Sequence, residues 1–270
     1  MFKERTSAKK VKLEKTEDVP VVESEEDEIE YVPMRVSQFD ELIDKGGIER
    51  GNSILVSGGC GTGKTTFTLQ SCYYGAMAGE NVAYITLEEE PHKILRHMKD
   101  NYGWDFSQFD NFIMKKVDPF SLSRSVEAEL ASQRGKLLIK VKGILDVLPE
   151  DFIPDRVVVD SLSALSSAFE ARSMEYRIYL RHLFQKLEKY NSINLILGET
   201  EQEPNLYSRT GVEEFLVDGV FVLYNIRKGI VRQRALEILK LRCSNHVKKL
   251  VPYQITNNGI ELFPEAEVFV

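Results

Sequence analysis

The sequence has little cysteine: Cys60, Cys72 and Cys243 in 270 residues. Their spacing fits neither a disulfide framework nor a zinc site. They read as buried or incidental thiols of a reducing compartment. Histidine is scarce as well, with four residues and no ligand spacing. No apolar run is long enough to span a membrane, and the N-terminus lacks a signal-peptide core. An excess of positive charge is also missing. The formal net charge of −7 argues against a general nucleic-acid footprint and leaves room only for a local basic patch. A soluble cytoplasmic protein without membrane insertion is the expectation.

What is present is a core. Hydrophobic residues make up 43% of the chain, enough for one large α/β domain plus tails. Residues 1–30 stand apart. Met1–Lys15 is basic, and Glu17–Glu30 is acidic and ends in "ESEEDEIE". Neither half shows apolar periodicity, so a disordered charged tail is expected there, serving as a docking arm or simply solvated. From Tyr31 the pattern is that of a folded domain, expected over 31–270. Candidate strands are Ser53–Ser57, Val82–Leu87, Phe112–Val117, Arg156–Asp160, Ile193–Gly198, Val220–Tyr224 and Ala235–Leu241. Candidate helices are Lys64–Ala78, Pro91–Asn101, Leu122–Val147 and Met174–Tyr190. Strands separated by helices predict right-handed βαβ units and an α/β fold with a mostly parallel central sheet. The short later connections predict an antiparallel extension near the C-terminus. "YQITNNGIELF", Tyr253–Phe263, reads as a hairpin turning at Asn-Asn-Gly.

Between the first strand and first helix lies "SGGCGTGKTT". Gly58, Gly59, Cys60, Gly61, Thr62, Gly63, Lys64 and Thr65 fit G-x-x-x-x-G-K-[ST], with Thr66 following. Glycines let the backbone N–H groups turn inward onto phosphate oxygens, and the helix adds its N-terminal partial positive charge. Lys64 is placed to reach the β- and γ-phosphates, and the Thr65 hydroxyl to ligate Mg²⁺. A nucleoside triphosphate, ATP, is the expected ligand. A second metal acid is supplied by "RVVVDS": Asp160 ends a buried strand at the edge where open α/β sheets bind ligands. Hydrolysis also needs a base for water. Glu88 and Glu89 in "YITLEEEP" are the candidates, and Glu90 reads as the cap of the helix at Pro91.

Several blocks are more specific than the phosphate loop. "FDELIDKGGIERGNSILVSGGCGTGKTTF", "YITLEEEP", "YGWD", "VVVDSLSAL", "RTGVEEFLVDGV", "RQRALEILKLRCSNH" and "ITNNGIELFP" cover nearly all of Val32–Pro264. Together they resemble KaiC-like ATPases of the RecA/RadA superfamily, of which clock members carry two such domains and this sequence one. The resemblance implies a RecA-like P-loop core, ATP bound between neighbouring subunits and a homohexameric ring. It implies that Glu88 and Glu89 are catalytic and that Tyr102 lies near the adenine. It implies that Lys240, Leu241 and Arg242, with Ser244 and His246, reach the nucleotide of the adjacent subunit. Glu201 matches an acid on the strand after Asp160. Lys240 and Arg242 lie two apart on a candidate strand, so their side chains are expected on one face. The block departs from the clock pattern at "VKKL", Val247–Leu250, and at Cys243, which replaces a glycine. The resulting expectation is a slow, Mg²⁺-dependent, oligomeric ATPase acting as a regulatory or assembly switch with an unknown protein partner. The competing readings are a DNA-processing RecA/RadA paralogue and a non-hydrolysing scaffold like the accessory protein of the archaeal motility motor.

Overall fold

The computed structural model describes residues 29–132, 143–169, 173–201 and 206–268. In chain order the strands and helices are β1 (Tyr31–Val32), β2 (Ile48–Glu49), β3 (Ser53–Gly58), α1 (Lys64–Met77), β4 (Val82–Thr86), α2 (Pro91–Tyr102), β5 (Phe112–Lys116), α3 (Pro119–Ser132), β6 (Arg156–Asp160), α4 (Leu162–Ala168), α5 (Met174–Tyr190), β7 (Ile193–Glu199), α6 (Glu213–Leu216), β8 (Gly219–Lys228), β9 (Val231–Leu241), β10 (Val251–Thr256) and β11 (Gly259–Leu262). Nine strands form one sheet in the order β11-β10-β9-β8-β3-β7-β6-β4-β5. The six from β8 to β5 are parallel, and β9, β10 and β11 add antiparallel pairs.

The middles of the central strands are apolar and buried because both faces are covered. In β6, Val158 faces the α1 and α2 side while Val157 and Val159 face α4 and α5. This alternation splits the interior into two cores. The first holds Phe67, Leu69, Tyr84, Ile94 and Met98; the second holds Ile85, Leu165, Tyr179 and Leu183. Parallel packing puts every βα connection at one edge of the sheet. The loop after β3, the acids after β4, and the ends of β6 and β7 therefore converge there.

The structure departs from the sequence reading in several places. The helix expected over Leu122–Val147 begins earlier, at Pro119, and is described to Ser132. Residues 133–142 lie outside the described residues, and Ile144–Val147 is a 3-10 turn. β8 is parallel to β3, so the antiparallel part begins only at β9. β8 and β9 are also longer than expected, because their outer ends pair with each other beyond the core. Of the charged stretch 1–30, only Ile29 and Glu30 are described, and Glu30 pairs with Arg50 at 2.6 Å.

One buried charge stitches the N-terminal segment to the domain. Arg156, the first residue of β6, is 0% exposed. It pairs with Glu80 Oε2 at 2.7 Å and donates to Ser71 Oγ at 2.7 Å and Pro33 O at 3.0 Å. Arg35 holds the other Glu80 oxygen at 3.0 Å. Gly75 leaves room for this pair, since a Cβ there would lie 2.7 Å from Glu80 Oε2. Removing one partner of a buried pair strands the other charge and costs about 3–5 kcal/mol. Glu80→Ala is expected to lose that much in urea denaturation, and clearly more than Lys99→Ala at the exposed Lys99–Asp105 pair. Equal losses would show that Arg156 is not the anchor described.

Candidate nucleotide site

The loop from Gly58 to Gly63 is shaped by left-handed glycines and backed by the C-terminal hairpin. Gly61 and Gly63 have φ of 75° and 90°. A Cβ at Gly63 would lie 2.7 Å from Ile255 Cδ1, and one at Gly58 would lie 2.5 Å from Leu223 O. Neither position has room for a side chain. Thr62 is buried, its hydroxyl donating to Gly59 O at 2.8 Å. From beneath, the Tyr253 hydroxyl donates to Thr62 O. Lys64 and Thr65 open α1, and Thr66 follows, buried. The Lys64 ammonium curls over the loop, donating to Gly58 O at 2.8 Å and Gly59 O at 3.2 Å. Burial lowers its pKa, opposed by the nearby carboxylates of Glu199, Asp160 and Glu88.

Asp160 meets this loop as expected. Its Oδ2 accepts from Thr65 Oγ1 at 3.2 Å and from the buried Tyr84 hydroxyl at 2.5 Å. Burial pushes the Asp160 carboxyl up to about 6; the hydrogen bond from Tyr84 opposes this, and the neighbouring Glu88 charge adds to it. Thr65 and Asp160 offer two hard oxygens side by side, a donor set suited to Mg²⁺ shared with phosphates. Among the described residues no group of three His, Cys, Asp or Glu could hold a metal alone.

Glu88 stands at the same edge. It is exposed, and its Oε1 accepts from Ser161 Oγ at 2.6 Å, so it is tied to the residue after Asp160. Glu89 is exposed too; its N–H and that of Glu88 donate to Thr86 Oγ1 at 3.2 and 3.3 Å. Glu90 occupies the N-cap position of α2 but its side chain makes no cap hydrogen bond. It pairs instead with Lys116 at 2.5 Å, so the cap reading holds for position and not for interaction. Tyr102 stacks on Trp104 at 4.6 Å. Trp104 in turn meets the β10–β11 turn, where a Cβ at Gly259 would lie 2.7 Å from the indole. Tyr102 is thus gathered with the hairpin that backs the glycine loop.

Lys240, Leu241, Arg242, Ser244 and His246 lie elsewhere. Leu241 pairs with Gly219, which is level with Ile54 at the start of β3, so this block sits at the sheet edge opposite the loop of its own chain. Lys240 Nζ donates to Val217 O at 2.6 Å and Glu214 O at 3.3 Å. The Leu241 side chain is buried in the first core. Arg242 falls one residue beyond β9, in a turn, and pairs with Asp218 at 3.0 Å. Even so, the two basic residues lie together: Arg242 N donates to Asp218 O at 2.9 Å, next to Val217, whose carbonyl holds Lys240. Cys243, where the family pattern has glycine, keeps a left-handed φ of 58°. That costs a side-chain-bearing residue roughly 1 kcal/mol. Ser244 Oγ donates to Asn245 O at 3.2 Å, and His246 bridges to Ile43.

The acid on the strand after Asp160 is Glu199, the last residue of β7; Glu201 is exposed beyond it. Sequence reasoning missed Glu199, Tyr84 and Ser161. The signal for Glu199 was available, because it ends the apolar run Ile193–Gly198 as Asp160 ends "VVV". Among the described residues no helix is long and apolar enough to cross a membrane.

Comparison with known proteins agrees with this geometry. The family described as "ATPase: KaiC" matches residues 32–267. The circadian clock oscillator protein KaiC of Acaryochloris marina is 33% identical over 88% of this chain and 44% of its own length. That of Synechococcus elongatus is 32% identical over 89% and 46%. The chain spans less than half the length of these relatives. A KaiC-like protein from the hyperthermophilic archaeon Pyrococcus horikoshii superposes with a TM-score of 0.69 at 30% identity, covering 88% of this chain and all of that one. With a P-loop, an aspartate at the end of β6 and this match over nearly the whole domain, the chain belongs to the KaiC family of RecA-like ATPases.

Proposed function

We propose that the protein binds ATP with Mg²⁺, hydrolyses it slowly, and uses the cycle to set the state of a homohexameric ring read by a protein partner. The carrying observation is the meeting of Thr65, Asp160, Lys64 and Glu88 at one edge of the sheet. In this reading the N–H groups of Gly59–Lys64 surround the phosphates, and Lys64 exchanges its loop carbonyls for phosphate oxygens. Thr65 and Asp160 would hold Mg²⁺, which would supply charge neutralisation on the phosphates. Glu88, with Glu89 beside it, takes the proton of the attacking water. The bond from the γ-phosphorus to the bridging oxygen breaks, giving ADP and phosphate. The adenine rests at Tyr102 beside the β10–β11 turn.

Assembly is supported by position. Lys240, Leu241, Arg242, Ser244 and His246 are too far from their own loop to serve it, so a nucleotide they touch belongs to a neighbour. Phe215 and Leu216, 75% and 42% exposed beside Lys240, supply apolar surface suited to that contact. Calorimetry tests the site: Lys64→Ala is expected to weaken ATP binding at least ~10-fold, as loss of a charge-assisted bond implies. Unchanged affinity at fixed salt would sink the reading. One observation favours a second reading, in which the tip of the β8–β9 hairpin binds nucleic acid: Arg227, Lys228 and Arg232 are exposed there. Salt-sensitive retention on single-stranded DNA would support it.

A further inference from the structure

We propose that Tyr84 is a positioning residue that holds the Asp160 carboxylate in the orientation needed for Mg²⁺, an inference that rests on the metal role assigned to Asp160 above. Tyr84 sits mid-strand in β4, level with Val158 and two residues below Asp160. Two residues of parallel strand rise roughly 6.6 Å, and a tyrosyl ring spans that height where most side chains fall short. The ring is 0% exposed, packed in the core under α1. A buried phenol is costly unless its hydroxyl finds an acceptor. This one donates to Asp160 Oδ2 at 2.5 Å. The Thr68 hydroxyl, one turn into α1, lies beside the same phenol and is itself held by the carbonyls of Lys64 and Thr65 at 3.1 and 3.2 Å. The phenol is therefore clamped between the helix that carries Thr65 and the strand that ends in Asp160.

The division of oxygens gives this clamp its consequence. Oδ2 takes both Tyr84 and Thr65, and Oδ1 has no protein donor among the described residues. The terminal torsion of an aspartate is broad and sets no orientation by itself. When the Thr65 hydroxyl turns toward a metal, Tyr84 is the donor that remains on Oδ2. It then leaves Oδ1 as the oxygen available to a metal-bound water. Without the phenol oxygen the carboxylate turns freely, and its share in ordering the metal waters falls. A hydroxyl placed behind a metal acid in this way acts on metal affinity and leaves the grip of the loop on phosphate untouched.

Tyr84→Phe removes one oxygen and keeps the ring, so the core stays filled. ADP is titrated calorimetrically into the full chain and into this variant, with Mg²⁺ and with chelator. Affinity without metal is expected to stay within about twofold. The gain conferred by Mg²⁺ is expected to shrink about 10-fold, at the low end of the 10–100-fold typical of residues that orient a metal ligand. The Mg²⁺ concentration for half-maximal hydrolysis should rise by the same factor. An unchanged Mg²⁺ gain overturns the proposal. So does an equal loss with and without metal, which would mean the phenol supports the loop. Asp160→Asn separates the two levels. If Asp160→Asn abolishes the Mg²⁺ gain and Tyr84→Phe costs nothing further in that background, Tyr84 acts through Asp160. If Asp160→Asn alone leaves the gain intact, the metal role of Asp160 fails and the proposal falls with it. A variant with a metal-dependent loss in both backgrounds would place the phenol's action elsewhere, and the proposal would be rejected.

Discussion

Arg242→Ala is expected to slow ATP hydrolysis by about 10³–10⁵-fold, the usual worth of an arginine that meets charge developing on the transferred phosphoryl group. The fold should survive the change. Its one ion pair, with Asp218, lies on a half-exposed side chain and contributes little to stability. Arg242 cannot act on its own loop, because it lies past the end of β9 that is level with the start of β3. In the ring proposed above, its effect passes to a neighbour through a head-to-tail contact of the kind that closes rings. Mixing gives the sharp test. Glu88→Gln subunits keep Arg242 but lack the base, and Arg242→Ala subunits keep the base but lack the arginine. Each alone should be nearly inactive. After joint dissociation and reassembly at equal ratio, roughly a quarter of head-to-tail interfaces pair an intact base with an intact arginine, and activity should return in proportion. No recovery from demonstrably mixed oligomers would place Arg242 outside the site.

Glu88→Gln is the second large effect. Gln keeps the size of Glu and can still bond with the Ser161 hydroxyl, so ATP affinity should hold within about twofold, given the modest net worth of one such bond. It cannot take a proton, and hydrolysis should fall by about 10²–10⁴-fold. Single-turnover kinetics separate the two effects. If Glu89→Gln carries the loss instead, the base is one residue further on. If neither does, the two acids only surround the start of α2.

Much of this arrangement could be read from the residues, and the unread parts share a cause. β6 and α5 were legible to the residue. "RVVVD" is a buried run with an acid at its end, and α5 opens on Ser173, whose hydroxyl caps Tyr176 N. α2 was legible to within one residue, because Pro91 opens it and Gly103, with φ of 70°, closes it. α4 escaped notice: seven residues directly after a strand leave too short a window for periodicity. The outer half of the β8–β9 hairpin escaped for a different reason. Asn225–Lys228 and Val231–Arg234 pair mainly with one another above the core, so no buried face imprints alternation on them. Contacts between distant elements were beyond reach. Nothing local in "NVAYIT" says that Tyr84 aims at Asp160, or in "GEN" that Glu80 is the partner of Arg156. The candidate site was legible where one segment carries it, as from Gly58 to Thr66. It was not where two strands must first be placed side by side, as for Glu199.

The hairpin behind the loop also bears on how the protein is made. Tyr253 reaches Thr62 across 191 residues of chain, and Gln70 reaches Ile260 across 190. At ribosomal speeds of about 5–20 residues per second, roughly 10–40 s separate synthesis of the phosphate loop from synthesis of the strand that backs it. A nascent chain therefore displays the glycine-rich sequence long before it owns a finished nucleotide site. In the cycle proposed above, capture of ATP and the assembly it drives would then wait for the last strands to leave the ribosome.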